Sequence, residues 1–506
     1  MTELIAGRAG RAGNATPGQS PGAAAPPGRD GSQTGSGRRT ASGRGVLLIV
    51  CAGVVLVNLD LFVVNVALPQ IAHDLGEKNL GTLSWVLNGY AVVYAALLVF
   101  FGRLADRYRR DLGFLLGVGI FTLASAACAA ATNVEMLIGF RLAQAAGAAL
   151  VTPTSLGLVL AAHSAERRQG AVRAWTAVGG MAAAVGPVIG GLLVTASWRW
   201  VFLINIPVGV AALVVGWRRL PHLAGQPVER PDPVGVVLAT GGVGLLTVGL
   251  VRGGDWGWSS ATALATLVGA AVLLGLFAAH CVTSRNPLVH PDLFTSRAFT
   301  GASLVAVLFS ASFAAMLLSL VLWVQGHWGW SALRAGLAIA PGPLMVPLIS
   351  FGAAAALIAR FGPGAVMAAG SALFGGGVAW WALSVGEQPN YVTGVLGGML
   401  LTGAGVGLTL PTLMAAAASS LPAQSFATGS AVINMIRQIG FVLGVAVVVA
   451  VLGDGSVGAD VSLHVFRQAW WVTAGLALAG ILPAVVLLRR PSRSSPPAGP
   501  ALPRQR

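Results

Sequence analysis

Residues 46–68 read VLLIVCAGVVLVNLDLFVVNVAL, and Asp60 is the one charged residue among them. A helix of about 20 mostly apolar residues crosses roughly 30 Å of hydrocarbon. The stretch is therefore a membrane span with a carboxyl group just past its middle. A charged carboxylate at the centre of a span costs about 2.5–3.5 kcal/mol on insertion scales, so it has to face a polar interior. A single span has no interior, and the stretch therefore predicts several helices packed around it.

The rest of the chain agrees. Of its 506 residues, 55% are hydrophobic and 9% charged, against roughly 25% charged in a soluble globular protein. With 69 glycines and a mean hydropathy of +0.78, little polar material remains to cover a soluble surface. These values exclude a soluble multidomain enzyme, a disordered protein and a disulfide scaffold. Counting residues 46–68, fourteen runs have the length of a span. The others lie near 83–101, 113–131, 136–161, 173–194, 200–217, 233–251, 260–280, 299–323, 335–358, 364–385, 391–416, 431–453 and 469–488. An all-α polytopic membrane protein follows. Residues 1–45 and 491–506, rich in Gly, Pro, Ala and Ser, read as disordered tails.

The net charge of +15 would suggest nucleic acid in a soluble protein. Its placement says otherwise. Assigned to alternate sides of the fourteen spans, 24 of the 31 basic residues fall on the side of both tails and five on the other, with Arg141 and Arg437 left inside spans. That is the positive-inside pattern with both termini cytoplasmic, so nucleic acid is not an expected partner.

Much chemistry is excluded. Lys78 is the only lysine and Glu77 precedes it, so no phosphate-binding GxxxxGK[ST] loop exists and no ATP site is expected. Cys51, Cys128 and Cys281 are isolated, the seven histidines are scattered, and no metal-ligand spacing occurs. The GxSxG match at Gly18–Gly22 lies in the first tail, without the flanking strand and helix that a nucleophile elbow requires. No catalytic residue is assigned, and an enzyme is not expected.

What remains is charge and polarity inside the membrane. A carboxyl that loads and releases a proton is what proton-coupled transport requires, and Asp60 is its candidate. Arg141 is the natural counterpart, with Gln144 at i+3 on the same helical face. Arginine stays charged even when buried. Asn434, Arg437 and Gln438 form a polar stripe at i, i+3 and i+4, lining a path or bonding helices together. Gly186 and Gly190, with Pro187 between them, stand in GxxxG register, which permits close helix approach.

Taken together the motifs resemble the major facilitator superfamily, in particular its fourteen-span drug:proton antiporter branch, over residues 46–490. The resemblance rests on Leu59-Asp60 with Val64–Pro69, Trp85–Tyr90, Gly102–Arg107, Arg141 with Gln144 and Gly147, Gly186–Gly191, Ser197–Phe202 with Asn205–Pro207, and Gly429–Gly444. Departures stand at Arg109, Asp111, Phe62 and Ala359, where the family's patterns have Gly, a base, Thr or Ser, and an acid.

The resemblance implies a first six-helix bundle at 46–217, a central two-helix insert with its loops at 218–298 and a second six-helix bundle at 299–490, rocking around a central site. It implies proton coupling through Asp60 and Arg141. It implies a gating loop of Gly102, Asp106 and Arg107, and an antiporter motif of Gly186, Pro187, Gly190 and Gly191. Asn65, Asn88, Tyr90, Gln144, Asn434, Arg437 and Gln438 are the substrate-path candidates. The implied function is proton-driven export of amphiphilic organic compounds across a bacterial cytoplasmic membrane, with lipid, substrate and protons as partners and no cofactor. A dedicated exporter of one endogenous metabolite and a passive facilitator remain the alternatives.

Overall fold

The computed structural model describes residues 43–223, 231–419, 421, 426–453 and 461–488. Among them there is no strand. Fourteen helices are long and apolar enough to cross a bilayer: α1 Gly43–Leu75, α2 Leu80–Ala105, α3 Arg110–Ala129, α4 Val134–Ala162, α5 Gly170–Val194, α6 Trp200–Arg219, α7 Pro233–Trp256, α8 Ala261–Thr283, α9 Arg297–His327, α10 Ala332–Phe361, α11 Pro363–Ser384, α12 Tyr391–Ala417, α13 Gly429–Leu452 and α14 Leu463–Leu487. Val and Ile abound in these runs, yet they are helical, because in hydrocarbon each backbone amide has to be bonded within its own segment.

Polar residues mark the helix starts. Asn79 accepts from the Thr82 amide (2.7 Å) and Asn133 from the Met136 amide (2.8 Å), opening α2 and α4. Ser260 and Ser331 cap α8 and α10 in the same way. All four caps lie on the arginine-poor side. On the arginine-rich side a single residue, Gly362, separates α10 from α11, and its φ of 88° is open to glycine at little cost.

Two groups of six helices pack internally. In the first, α1 lies against α4, α5 and α6, α2 against α4, and α3 against α4 and α6. In the second, α9 lies against α12, α13 and α14, α11 against α12 and α14, and α10 against α12. Each group holds a glycine-lined crossing. A Cβ on Gly147 of α4 would sit 2.6 Å from the Phe121 amide nitrogen of α3, and one on Gly405 of α12 would sit 2.6 Å from the Gly370 carbonyl of α11. The bundles meet where α2 packs on α13, α5 on α10 and α1 on α9.

The extra pair, α7 and α8, pack on each other, and α7 lies against both α2 and α13. The insert thus braces one seam from outside. Leu264, Val268, Val272 and Leu276 recur every fourth residue on α8 and are exposed, forming a stripe suited to lipid. Three spans contain π-helical turns: Trp323–His327 in α9, Ser350–Ala354 in α10 and Tyr391–Leu396 in α12. In α10 the turn follows Pro347, whose ring removes one backbone bond.

One placement corrects the sequence reading. Asp111 precedes the third span read from the sequence, near 113–131, but α3 begins three residues earlier, and Asp111 stands buried in its first turn. Arg109 (2.5 Å) and His222 (2.9 Å) pair with it, and these partners offset the cost of burying the acid.

A second loop acid anchors the insert. Asp232 accepts from the Gly235 amide (2.9 Å) at the start of α7, from the Leu288 amide (2.9 Å), and pairs with His280 Nε2 (3.0 Å). Desolvation raises its carboxyl affinity for protons, but the Gly235 amide, His280 and the Leu288 amide together hold it below the ordinary carboxylate range. The folded carboxyl is thus the stronger acid, so its contribution is present above the unfolded value of about 4 and is lost as pH falls through the folded value. Asp232→Ala is expected to destabilise the purified protein by roughly 0.5–2 kcal/mol, the usual worth of an N-cap. Thermal unfolding in detergent checks this, and the gap between variant and wild type is expected to narrow in acid.

Candidate functional site

Asp60 of α1 is completely buried, and Arg141 of α4 is 1% exposed. Arg141 Nη1 meets Asp60 Oδ2 at 2.5 Å. The same Nη1 donates to Gln144 Oε1 (2.7 Å), and Arg141 Nε donates to the Val86 carbonyl of α2 (3.1 Å). Gln144 Nε2 donates to the other carboxylate oxygen (2.9 Å) and to Ser125 Oγ of α3 (2.8 Å). Asn205 Nδ2 of α6 closes the network on Asp60 (3.4 Å) and Ser125 (3.3 Å). Five of the six helices of the first bundle thus join in one network around this carboxylate.

The predicted Asp60–Arg141–Gln144 constellation is therefore assembled. The i, i+3 spacing sets the arginine and the amide side by side, each on one oxygen of the acid. Tyr90 joins as well: the Arg141 guanidinium lies 4.1 Å from its ring centroid. Tyr94 stacks on Tyr90 at 5.9 Å and hydrogen-bonds Thr152 Oγ1 of α4 at 2.9 Å. Ser125 and Asn205 were not assigned a role from sequence. Asn205 stands in the Asn-Ile-Pro motif, which was read for kinship alone.

The other candidates lie apart. Asn65 donates to the Leu61 carbonyl one turn away (3.0 Å), and not to a member of the network. Asn88 is fully buried and neither polar atom of its side chain has a partner. In α13, Arg437 Nη1 donates to Asn434 Oδ1 (3.3 Å), while Gln438 Oε1 is buried without a partner. Arg437 stands within electrostatic reach of Tyr94, across the α2–α13 seam.

The glycine motif of α5 serves two interfaces. A Cβ on Gly186 would meet Phe62 at 2.8 Å, and one on Gly190 would meet Val63 at 3.0 Å, both on α1. Gly191 faces the other bundle, where a Cβ would sit 2.5 Å from the Ala332 carbonyl of α10. Gly336 of α10 is pressed in return against the Pro187 carbonyl. Gln325 Nε2 of α9 adds a bond to the Val66 carbonyl of α1 (3.0 Å). The Gly191, Gly336 and Gln325 contacts join the bundles on the arginine-poor side of Asp60.

Of the gating-loop residues, Gly102 has ordinary van der Waals room against Pro153. Arg107 closes the helix that α2 continues. The Asp106 side chain lies outside the described residues. Beside them, Arg103 Nη2 reaches the Leu288 carbonyl (3.4 Å), the residue whose amide Asp232 accepts.

Residues 50–445 match the family model described as Major Facilitator Superfamily. A cephamycin export protein of Amycolatopsis lactamdurans is 32% identical over 476 residues, 93% of this chain and 97% of its own. A methylenomycin A resistance protein of Streptomyces coelicolor is 33% identical, over 91% and 95% of the two chains. A multidrug resistance protein of Mycobacterium tuberculosis is 32% identical, over 80% and 75%. Among solved structures, an autoinhibited peptide transporter of the POT family superposes with a TM-score of 0.63 at 18% identity, over 90% of this chain and 99% of its own, a likeness of fold. The fourteen helices, the two six-helix bundles and the family match over most of the chain agree, and the chain belongs to the major facilitator superfamily.

Proposed function

We propose that this transporter exports amphiphilic organic compounds in exchange for protons. The observation that carries the reading is the Asp60–Arg141 pair, sealed from water in one bundle and held by Gln144, Ser125 and Asn205. Taking a carboxylate and a guanidinium out of water costs several kcal/mol per ion, which their pairing has to offset. An acid kept at such cost, on helices that must move, has a use beyond packing. Protonation of Asp60 releases its hold on Arg141, and the freed guanidinium then takes new partners as the bundles rock.

The arginine-rich side is cytoplasmic in this reading, and the membrane is the bacterial cytoplasmic one. The α5–α10 and α1–α9 contacts form the outer gate, and that gate opens when the substrate is released. No cofactor is required. A proton moving down 100 mV gains about 2.3 kcal/mol, enough for roughly a fortyfold gradient at 1.4 kcal/mol per factor of ten.

Relatives of similar identity are named for one antibiotic, as with cephamycin and methylenomycin A, and for multidrug resistance. A narrow range of exported compounds is therefore a second reading. Two measurements decide. In everted vesicles, a protonophore is expected to stop uptake of exported compounds, and flux indifferent to it would mean a passive facilitator. A panel of unrelated toxins distinguishes a multidrug exporter, which lowers susceptibility to many, from a dedicated one, which acts on a single chemical class.

A further inference from the structure

The two bundles treat charge differently. In the first, Asp60 is neutralised by Arg141. In the second, α9–α14 contain no Asp or Glu at all. The acids between residues 299 and 490 are Glu387, Asp454 and Asp460, all between spans. Arg297, Arg334, Arg360 and Arg467 stand within five residues of a helix end. Among the described residues of the second bundle, Arg437 is the one arginine or acid away from the helix ends, eight residues into α13.

A guanidinium stays charged at any physiological pH, and a charge at that depth is costly unless something pairs with it. Among the described residues, Arg437 has only the neutral Asn434 oxygen as a hydrogen-bond partner, and its Nε has none. Next to it the Gln438 Oε1, on a side chain 7% exposed, is also without a partner. The group within electrostatic reach, Tyr94, already bonds Thr152. One turn further along α13, Phe441 packs edge-on against Phe313 of α9 (5.9 Å), which meets Phe62 of α1 (6.1 Å). These three rings are partly exposed and bridge the bundles beside the arginine.

We propose that Arg437 is an anion-binding subsite, and that the preferred substrates are aromatic or polycyclic amphiphiles bearing an acidic group such as a carboxylate or phenolate. The inference rests on the export reading and names its substrate class. The acid group pairs with Arg437, and the ring system lies on Phe62, Phe313 and Phe441. Because no described carboxylate pairs with Arg437, a neutral or cationic analogue loses the chief attraction.

The test uses the purified full chain in lipid nanodiscs, without any gradient. Three probes of matched shape are titrated by calorimetry: 1-naphthylacetate, its methyl ester and 1-naphthylmethylammonium. The acid is expected to bind at least tenfold more tightly than either analogue. Arg437→Gln is expected to erase that preference, and Arg437→Lys to keep part of it. Acid binding no tighter than the ester overturns the proposal, on wild type alone and whatever the variants do. A preference intact in Arg437→Gln overturns it as well. Proton coupling is measured separately, as protonophore-sensitive flux. If binding favours the ammonium probe while flux stays proton-driven, the subsite falls and the export reading stands; if the acid is favoured while flux ignores the proton gradient, the subsite stands and the coupling falls.

Discussion

Asp60→Asn is expected to reduce proton-driven efflux in everted vesicles to the level of membranes without the protein. The substitution keeps the size of the side chain and two of its contacts in principle, but removes the charge that Arg141 and Gln144 converge on. It also leaves the buried Arg141 guanidinium without its counter-ion, a loss of about 3–5 kcal/mol in stability. Inactivity alone would therefore not separate coupling from folding. The double variant Asp60→Asn with Arg141→Gln removes both charges and is expected to recover most of the thermal stability, but none of the coupled transport. Recovery of proton-driven flux in that double variant would mean that the pair is architectural.

A second large effect is expected at the crossing of α5 and α10. Gly191→Val and Gly336→Val each place carbon atoms against backbone, the Ala332 carbonyl in one case and the Pro187 carbonyl in the other. Backbone cannot rotate aside as a side chain can, so the helices have to separate. Overpacking of this kind costs about 1–3 kcal/mol, and here it falls only on the conformation in which the crossing is closed. A differential cost of that size shifts a two-state equilibrium by roughly 5- to 150-fold. The expected result is a folded protein with transport reduced about fivefold or more. Alkylation of Val194→Cys, at the end of α5, by a membrane-impermeant maleimide is expected to speed up. Normal transport in both variants would mean that this crossing does not open and close during the cycle.

The span count was legible because hydrophobic runs of some 20 residues leave one conformation open to the backbone in lipid. Asp60 and Arg141 were legible for the converse reason, since charges in such runs are rare enough to stand out. Ser125 was not. A serine within a span bonds the carbonyl one turn back, here that of Phe121 at 2.8 Å, and leaves no signal in the sequence. That it also holds Gln144 follows from α3 lying against α4, which is a tertiary fact. The glycines of α5 announced close approach but not the partner: Gly186 and Gly190 face α1, whereas Gly191 faces the other bundle. Asp111 was misplaced because its partners, Arg109 and His222, lie on either side of four spans, and a helix start three residues early turns a loop acid into a buried one.

The central claim is that the carboxyl on α1 alternates between ionised and neutral forms as the transporter works. Infrared difference spectroscopy on the reconstituted protein reads that event without an assay for flux. Perfusing an exported compound over the sample is expected to change a protonated-carboxyl band by one group per chain, and the band is expected to vanish in Asp60→Asn. A difference spectrum without any carboxyl band, or one that is the same in Asp60→Asn, would contradict the account.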